Sequence, residues 1–226
     1  GSGKRPFSRG PHPLPNGPPD LPLEMWSLAW IGARSIDPYL DQLYGAVQMI
    51  ESGTTTVQAM HSAGRGMAPV DMRIADKVIK AYQNSGMRVS YAPSIADQNS
   101  MVAGAGGGEE GFASQMPSIL AERYRSFMAR SYWPVADVMP VLEEICAKYG
   151  NNRHERVQVV MAPSNVHRCT DEMLVALKDM ASRHKTGIHI HLQETVYQKL
   201  YGLQAWNKTP LQHLNYLGFL GPENTC

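Results

Sequence analysis

Apolar residues recur at helical spacing from Asp37-Pro38 onward, at Leu40, Leu43, Ala46, Val47 and Ile50, and Gly53 follows where a helix-ending glycine belongs. Next comes Thr54-Thr55-Thr56-Val57-Gln58-Ala59-Met60, short and β-branched, which predicts a strand. The same order is written again further on. A helix over residues 70–84 ends at Gly86 before a strand over 87–91; a helix over 135–148 ends at Gly150 before a strand over 157–161; a helix over 170–183 leads through Gly187 into a strand over 188–192. The last two strands lack polar alternation, so they are expected to be buried on both faces, as in a parallel sheet built from right-handed βαβ units. Between the second and third strands the pattern predicts a loop over 92–115 and an extra helix over 116–130. Residues 1–22 are rich in proline and glycine, and the whole stretch 1–36 is expected to run irregularly. The chain closes on Leu220-Gly221-Pro222-Glu223-Asn224-Thr225-Cys226, a turn and the start of a further strand. Pattern alone admits either part of an eightfold (β/α) barrel or an open doubly wound sheet.

Composition narrows the function more than the fold. With 226 residues, 43% hydrophobic and 18% charged, the chain is long enough to bury a real core. A net charge of +1, with 21 basic residues scattered along the sequence, offers no field to attract nucleic acid or an anionic membrane. A small-molecule partner is expected. Cys146, Cys169 and Cys226 are far apart, forming neither a disulfide framework nor a thiolate zinc pair, and they point to a reducing, cytoplasmic compartment. No apolar run approaches the roughly 18 residues that a bilayer span needs.

The chemistry concentrates at Gly187-Ile188-His189-Ile190-His191-Leu192-Gln193-Glu194-Thr195. Side chains at i and i+2 of a strand share a face, so His189 and His191 are expected to project together, with Glu194 just beyond the strand's C-terminal end. Parallel α/β folds build their active sites at that end. A divalent cation is one partner for two such imidazoles; hydrogen-bonded core histidines are the other reading of a bare His-x-His pair.

Context favours the cation. The run from Gly187 to Thr195, followed by Gln198, Gly202, Thr209-Pro210-Leu211, Leu214 and Leu217-Gly218-Phe219-Leu220-Gly221-Pro222, resembles the fifth-strand region of the cytosine deaminase, chlorohydrolase and S-adenosylhomocysteine deaminase branch of the amidohydrolases. Asp20-Leu21-Pro22-Leu23-Glu24-Met25-Trp26 is similar to that family's segment after strand one, and Glu51-Ser52-Gly53-Thr54-Thr55-Thr56-Val57 to its second strand. The resemblance covers nearly the whole chain. It implies a partial (β/α)8 TIM barrel, strands two to five with their helices, as one incomplete domain over 1–226. It also implies that His191 is a metal ligand, with zinc or iron as the metal, and that Glu194 is the catalytic proton shuttle. His189 has no fixed role in the family and is expected to orient His191 or a neighbouring strand.

The departures matter as much. No His-x-His pair of the family's first strand occurs in residues 1–60, and the strand-six histidine and strand-eight aspartate are absent. The sequence therefore reads as an internal piece of a longer barrel, expected to hold metal poorly and to be inactive by itself. Placing His189 and His191 as the first-strand pair is the alternative register.

Three more residues fall at predicted strand ends, where this family contacts substrate. His61 follows the second family strand, and His167 and Arg168 follow the fourth; all three are expected to bind substrate, Arg168 through a carbonyl or carboxylate. Thr170 reads as the N-cap of the next helix. The glycine-rich run 103–111 lacks the Lys-Ser/Thr ending of a phosphate loop and is expected to act as a lid. Trp26, Trp30 and Trp133 are candidates for a pocket mouth or a homodimer contact. The expected activity is hydrolysis of a C–N bond in an aminated heterocycle or cyclic amidine, with a catalytically incomplete binding or scaffold protein as the alternative.

Overall fold

The computed structural model of the chain describes residues 36–62, 70–99, 104, 108–150 and 156–226. The expected irregular N-terminal segment, the segment similar to the post-strand-one region, Trp26, Trp30 and much of the predicted lid lie outside the described residues.

Helices and strands alternate as the apolar pattern predicts. Helix α1 (Pro38–Glu51) starts on an Asp37 cap, whose carboxylate accepts from the backbone of Tyr39 and Leu40, with proline at the first turn. It leads into β1 (Thr56–His61). Helix α2 (Met72–Ser85) is capped by Asp71 and ends on Gly86, whose φ of 77° needs a residue without a Cβ. Strand β2 (Arg88–Ile95) follows, then α3 (Gly108–Ala113), α4 (Ser118–Ser131) and α5 (Val135–Tyr149). Strands β3 (Val157–Val159) and β4 (Ala162–Pro163) precede a single 3-10 turn (Val166–Arg168). Helix α6 (Asp171–His184) begins on the Thr170 cap and is followed by β5 (Ile188–His189). Helices α7 (Val196–Trp206) and α8 (Pro210–Tyr216) complete the set, with β6 (Asn224–Thr225) last.

Every strand pairing is parallel. β1 lies beside β2 from Thr56↔Arg88 to His61↔Pro93; β2 lies beside β3 through Val89↔Val157 and beside β4 through Ser94↔Ala162. Met161 bridges to Ile188, Asn165 bridges to His191, and β5 lies beside β6. Among the described residues the order never reverses, so no switch point of an open doubly wound sheet occurs. The fold is α/β. Its core is formed by Ile79, Val89, Leu142, Ile145, Val157, Val159, Met161, Leu174, Leu177, Met180 and Ile188, all buried between sheet and helices. Trp133 packs against this core.

Four boundaries differ from the sequence expectation. β2 runs on to Ile95, through a segment expected to be loop; α3 forms inside the same expected loop; the strand expected over 157–161 shortens to β3, with the separate β4 just beyond it; and the strand expected over 188–192 shortens to two residues. The last change has a local cause. Beyond His189 the pairing continues only as the isolated Asn165↔His191 bridge, and Gln193, two residues further, adopts a left-handed φ of 52° that takes the backbone out of the extended path.

Candidate active site

The C-terminal ends of parallel neighbouring strands bring the predicted residues together. β4 and its 3-10 turn supply Ser164, Asn165, His167 and Arg168; the segment after β5 supplies His191 and Glu194; and the Asn165↔His191 bridge ties the two segments by their main chains. The loop after β2 braces the arrangement. Asp97 and Gln98 donate backbone hydrogens to the carbonyl of Arg168, and Asp97 accepts from the backbone N–H of Thr170 at 2.8 Å and from its hydroxyl at 2.6 Å.

His191 sits half-buried, with Nδ1 3.2 Å from the Ser164 carbonyl oxygen. A carbonyl only accepts, so Nδ1 carries the proton and the lone pair lies on Nε2. Metal-binding histidines are oriented in this way, by a hydrogen bond from the ring nitrogen that does not touch the ion.

Glu194 is exposed, yet its carboxylate is held firmly. Its Oε2 accepts from Asn165 Nδ2 at 2.9 Å and from Gln198 Nε2 at 3.2 Å, and its backbone N–H donates to Gln198 Oε1 at 3.0 Å. Gln198 comes from the first turn of α7, which the Thr195 hydroxyl caps by accepting from Gln198 N. Both amides are buried, Asn165 at 4% exposure and Gln198 at 3%.

His167 is also buried, at 4% exposure, with Nδ1 3.1 Å from Asn165 Oδ1. Burial pushes its pKa down to about 4, and the adjacent Arg168 adds to the shift. Its backbone carbonyl accepts from the side chains of Gln98 and Asn99, and its ring lies 5.8 Å from that of Tyr201, in α7. Tyr201 in turn meets Trp206 edge-on, and Trp206 stacks on His213 at 3.9 Å. His213 Nε2 lies 2.7 Å from Asp171, so this aromatic series fastens α7 and α8 to α6.

His189 turns to the neighbouring strand. Its Nδ1 is 3.1 Å from the hydroxyl oxygen of Thr225 in β6, which also accepts from Gln58 Nε2 at 2.9 Å. Burial lowers its pKa, and the ring of His191, 5.9 Å away, lowers it further. His61, at the end of β1, is buried beside the ring of Tyr91. Among the described residues, no group of three or more His, Cys, Asp or Glu side chains is arranged to hold a metal ion. No described helix is long and apolar enough to cross a membrane.

Sequence reasoning did not single out Asn165 as functional. Asparagine in a loop reads first as a turn former, and only the bridge to His191 shows where its amide goes.

The model of the amidohydrolase family matches residues 14–225. Among characterised relatives, the chain is 27% identical over 207 residues to a 5-methylthioadenosine/S-adenosylhomocysteine deaminase of Desulfitobacterium hafniense, covering 89% of this chain and 38% of that protein. It is 25% identical over 185 residues to a 5'-deoxyadenosine deaminase of Methanobrevibacter smithii, covering 82% of this chain and 33% of that protein. The chain thus spans 33–38% of the length of these relatives. Among solved structures it is similar to guanine deaminase from C. acetobutylicum with bound guanine, at a TM-score of 0.64, 14% identity and coverage of 90% and 42%. It is also similar to an adenosine deaminase from Xanthomonas campestris with bound zinc, at a TM-score of 0.60, 18% identity and coverage of 91% and 38%. These neighbours are TIM-barrel amidohydrolases.

Proposed function

The chain belongs to the amidohydrolase family, and from that premise we propose that it forms strands two to five of a (β/α)8 barrel that hydrolyses a C–N bond of an aminated heterocycle, releasing ammonia. The observation that carries this reading is the pairing of His191 and Glu194 at one strand end, His191 donating to the Ser164 carbonyl and Glu194 accepting from Asn165, both in the segment that follows β4. The unbroken parallel order of the strands supports the barrel.

The residues present fit a divalent metal at one coordination position. His191, with its lone pair on Nε2, would hold the ion together with ligands from outside the described residues. When bound, such an ion, zinc in the adenosine deaminase neighbour, supplies the Lewis acidity that lets water ionise near neutral pH.

Glu194 takes one proton from the attacking water and delivers it to the departing nitrogen. As the C–O bond forms on the ring carbon the C–N bond breaks, nitrogen leaves as ammonia, and the second water proton passes from the new oxygen to the adjacent ring nitrogen, giving the carbonyl product. Arg168 and His61, at neighbouring strand ends, contact the substrate, while His189 tethers β5 to the following strand through Thr225. The adenine nucleosides named for the relatives are the first substrates to test, with guanine as the second class. Free, buried Cys146 and Cys169 are compatible with a cytoplasmic setting.

Metal analysis and an ammonia-release assay, both on the complete barrel that contains this chain, test the reading together. Near-stoichiometric zinc or iron, with turnover of 5'-deoxyadenosine, S-adenosylhomocysteine or guanine that Glu194→Gln lowers by about 100-fold or more, supports it. Absence of metal after supplementation, with no turnover of any of these, favours the non-catalytic alternative.

A further inference from the structure

We propose that Asn165, Gln198 and His167 are positioning residues that lock one oxygen of Glu194 and leave the other to carry the proton. The proposal deepens the reading of Glu194 as the proton shuttle and rests on it.

The geometry divides the carboxylate. Oε2 accepts from both Asn165 Nδ2 and Gln198 Nε2, whereas among the described residues Oε1 accepts no hydrogen bond. Two bonds to one oxygen fix the plane of the carboxyl group and keep its negative charge hydrogen-bonded. Oε1 is then the oxygen left to take a proton from the reacting water and return it. Gln198 adds a second restraint by accepting from the Glu194 backbone N–H, so one side chain grips both ends of the residue.

Glu194 and His167 together fix which way the Asn165 amide points. A flipped amide would set its carbonyl oxygen against Glu194 Oε2, oxygen against oxygen. The carboxylate therefore selects Nδ2 as donor, and Oδ1 is left facing His167. Oδ1 only accepts, so His167 Nδ1 must bear a hydrogen. A buried series thus runs from His167 Nδ1–H through the Asn165 amide to Glu194 Oε2. Protonation of His167 would leave the Nδ1 donor in place, so the orienting function needs only that hydrogen and the ring's fixed placement beside Tyr201.

Two variants separate the hydrogen from the ring. Asparagine places an N–H close to the Nδ1 position of histidine, while phenylalanine fills the ring volume without any donor. In isotope-labelled protein read by nuclear magnetic resonance, the Asn165 side-chain NH2 is expected to show slow exchange with water in the wild type and in His167→Asn. In His167→Phe it exchanges at least about tenfold faster, while the Gln198 NH2 is unchanged. This readout requires neither metal nor substrate, and a wild-type Asn165 amide that exchanges as fast as an exposed one overturns the proposal.

In the metal-loaded enzyme, Asn165→Leu is expected to lower kcat by about 10–100-fold, with KM within about threefold, as loss of an orienting partner does. His167→Phe follows in the same direction, and His167→Asn restores most of kcat. If Glu194→Gln abolishes turnover but Asn165→Leu keeps wild-type kcat, the positioning proposal fails and the shuttle survives. If Glu194→Gln retains turnover, the shuttle reading fails instead.

Discussion

His191 donates its Nδ1 hydrogen to the carbonyl oxygen of Ser164 at 3.2 Å, so the strand next door sets which ring nitrogen is free. The relationship makes a sharp prediction. Asparagine at position 191 keeps a donor near Nδ1 and so keeps the Ser164 bond, but it has no counterpart of Nε2. His191→Asn is therefore expected to weaken zinc binding by at least about tenfold while shifting the melting temperature of the metal-free protein by little. Zinc titration followed by isothermal calorimetry checks it; unchanged affinity would remove His191 from the ligand set.

Burial of His167 couples the fold to acid. Its pKa is about 4 in the folded chain against an ordinary 6.5, so the folded state favours the neutral ring. That contribution is complete above the unfolded value of 6.5 and disappears as pH falls toward 4. Between pH 7 and pH 5 the wild type should lose about 2 kcal/mol more stability than His167→Asn, since each unit of pKa difference is worth about 1.4 kcal/mol. Urea unfolding of both proteins at the two pH values measures the difference, and equal losses would contradict it.

Gly202 should respond against its helix propensity. Alanine inside a helix ordinarily gains about 1 kcal/mol over glycine. Here an added Cβ would lie 2.7 Å from the Lys208 carbonyl oxygen and 2.8 Å from Pro210 Cδ, where α7 and the start of α8 approach most closely. Gly202→Ala is expected to destabilise by about 1–3 kcal/mol through overpacking. Thermal unfolding tests this, and a raised melting temperature would show that the two helices part freely.

Arg168 lies next to His167 and half-buried, in the turn that follows β4. In its proposed substrate role, Arg168→Met should lower kcat/KM by at least about tenfold, mainly through KM, because a lost ground-state contact weakens binding before chemistry. Unchanged kcat/KM across the adenine and guanine substrates would end that assignment.

The alternation of helix and strand was legible because its signal is long-range in sequence, with apolar spacing repeated and each helix closed near a glycine. Strand ends were less legible because pairing decides them. Pro93 reads as a strand terminator, yet β2 continues through it. The residue falls between the Val89–Tyr91 ladder with β3 and the Ser94–Ile95 ladder with β4, and its partner in β1 is the terminal His61, so the missing N–H disrupts little of the sheet. His191 and Glu194 could be selected by motif, because their chemistry is tied to residue type and spacing. Asn165 could not, and Gln198 stood in the motif without a role, since an amide becomes a positioning group only through what the fold sets within hydrogen-bond reach. His167 was legible as a residue of the site through its place at a strand end, as an expected substrate contact, but not in the positioning role proposed above, because its partner is an amide on its own turn and its influence on Glu194 passes through a second residue.

The left-handed backbone at Gln193 has a consequence for anyone wishing to harden this protein. A side chain with a Cβ is disfavoured there by about 1 kcal/mol, and glycine would relieve it. Yet this bend releases the chain from the extended path after His191 and brings Glu194 beneath the two amides. Substituting glycine would loosen the hinge on which that carboxylate hangs, so a gain in melting temperature at position 193 is expected to arrive with a slower catalyst.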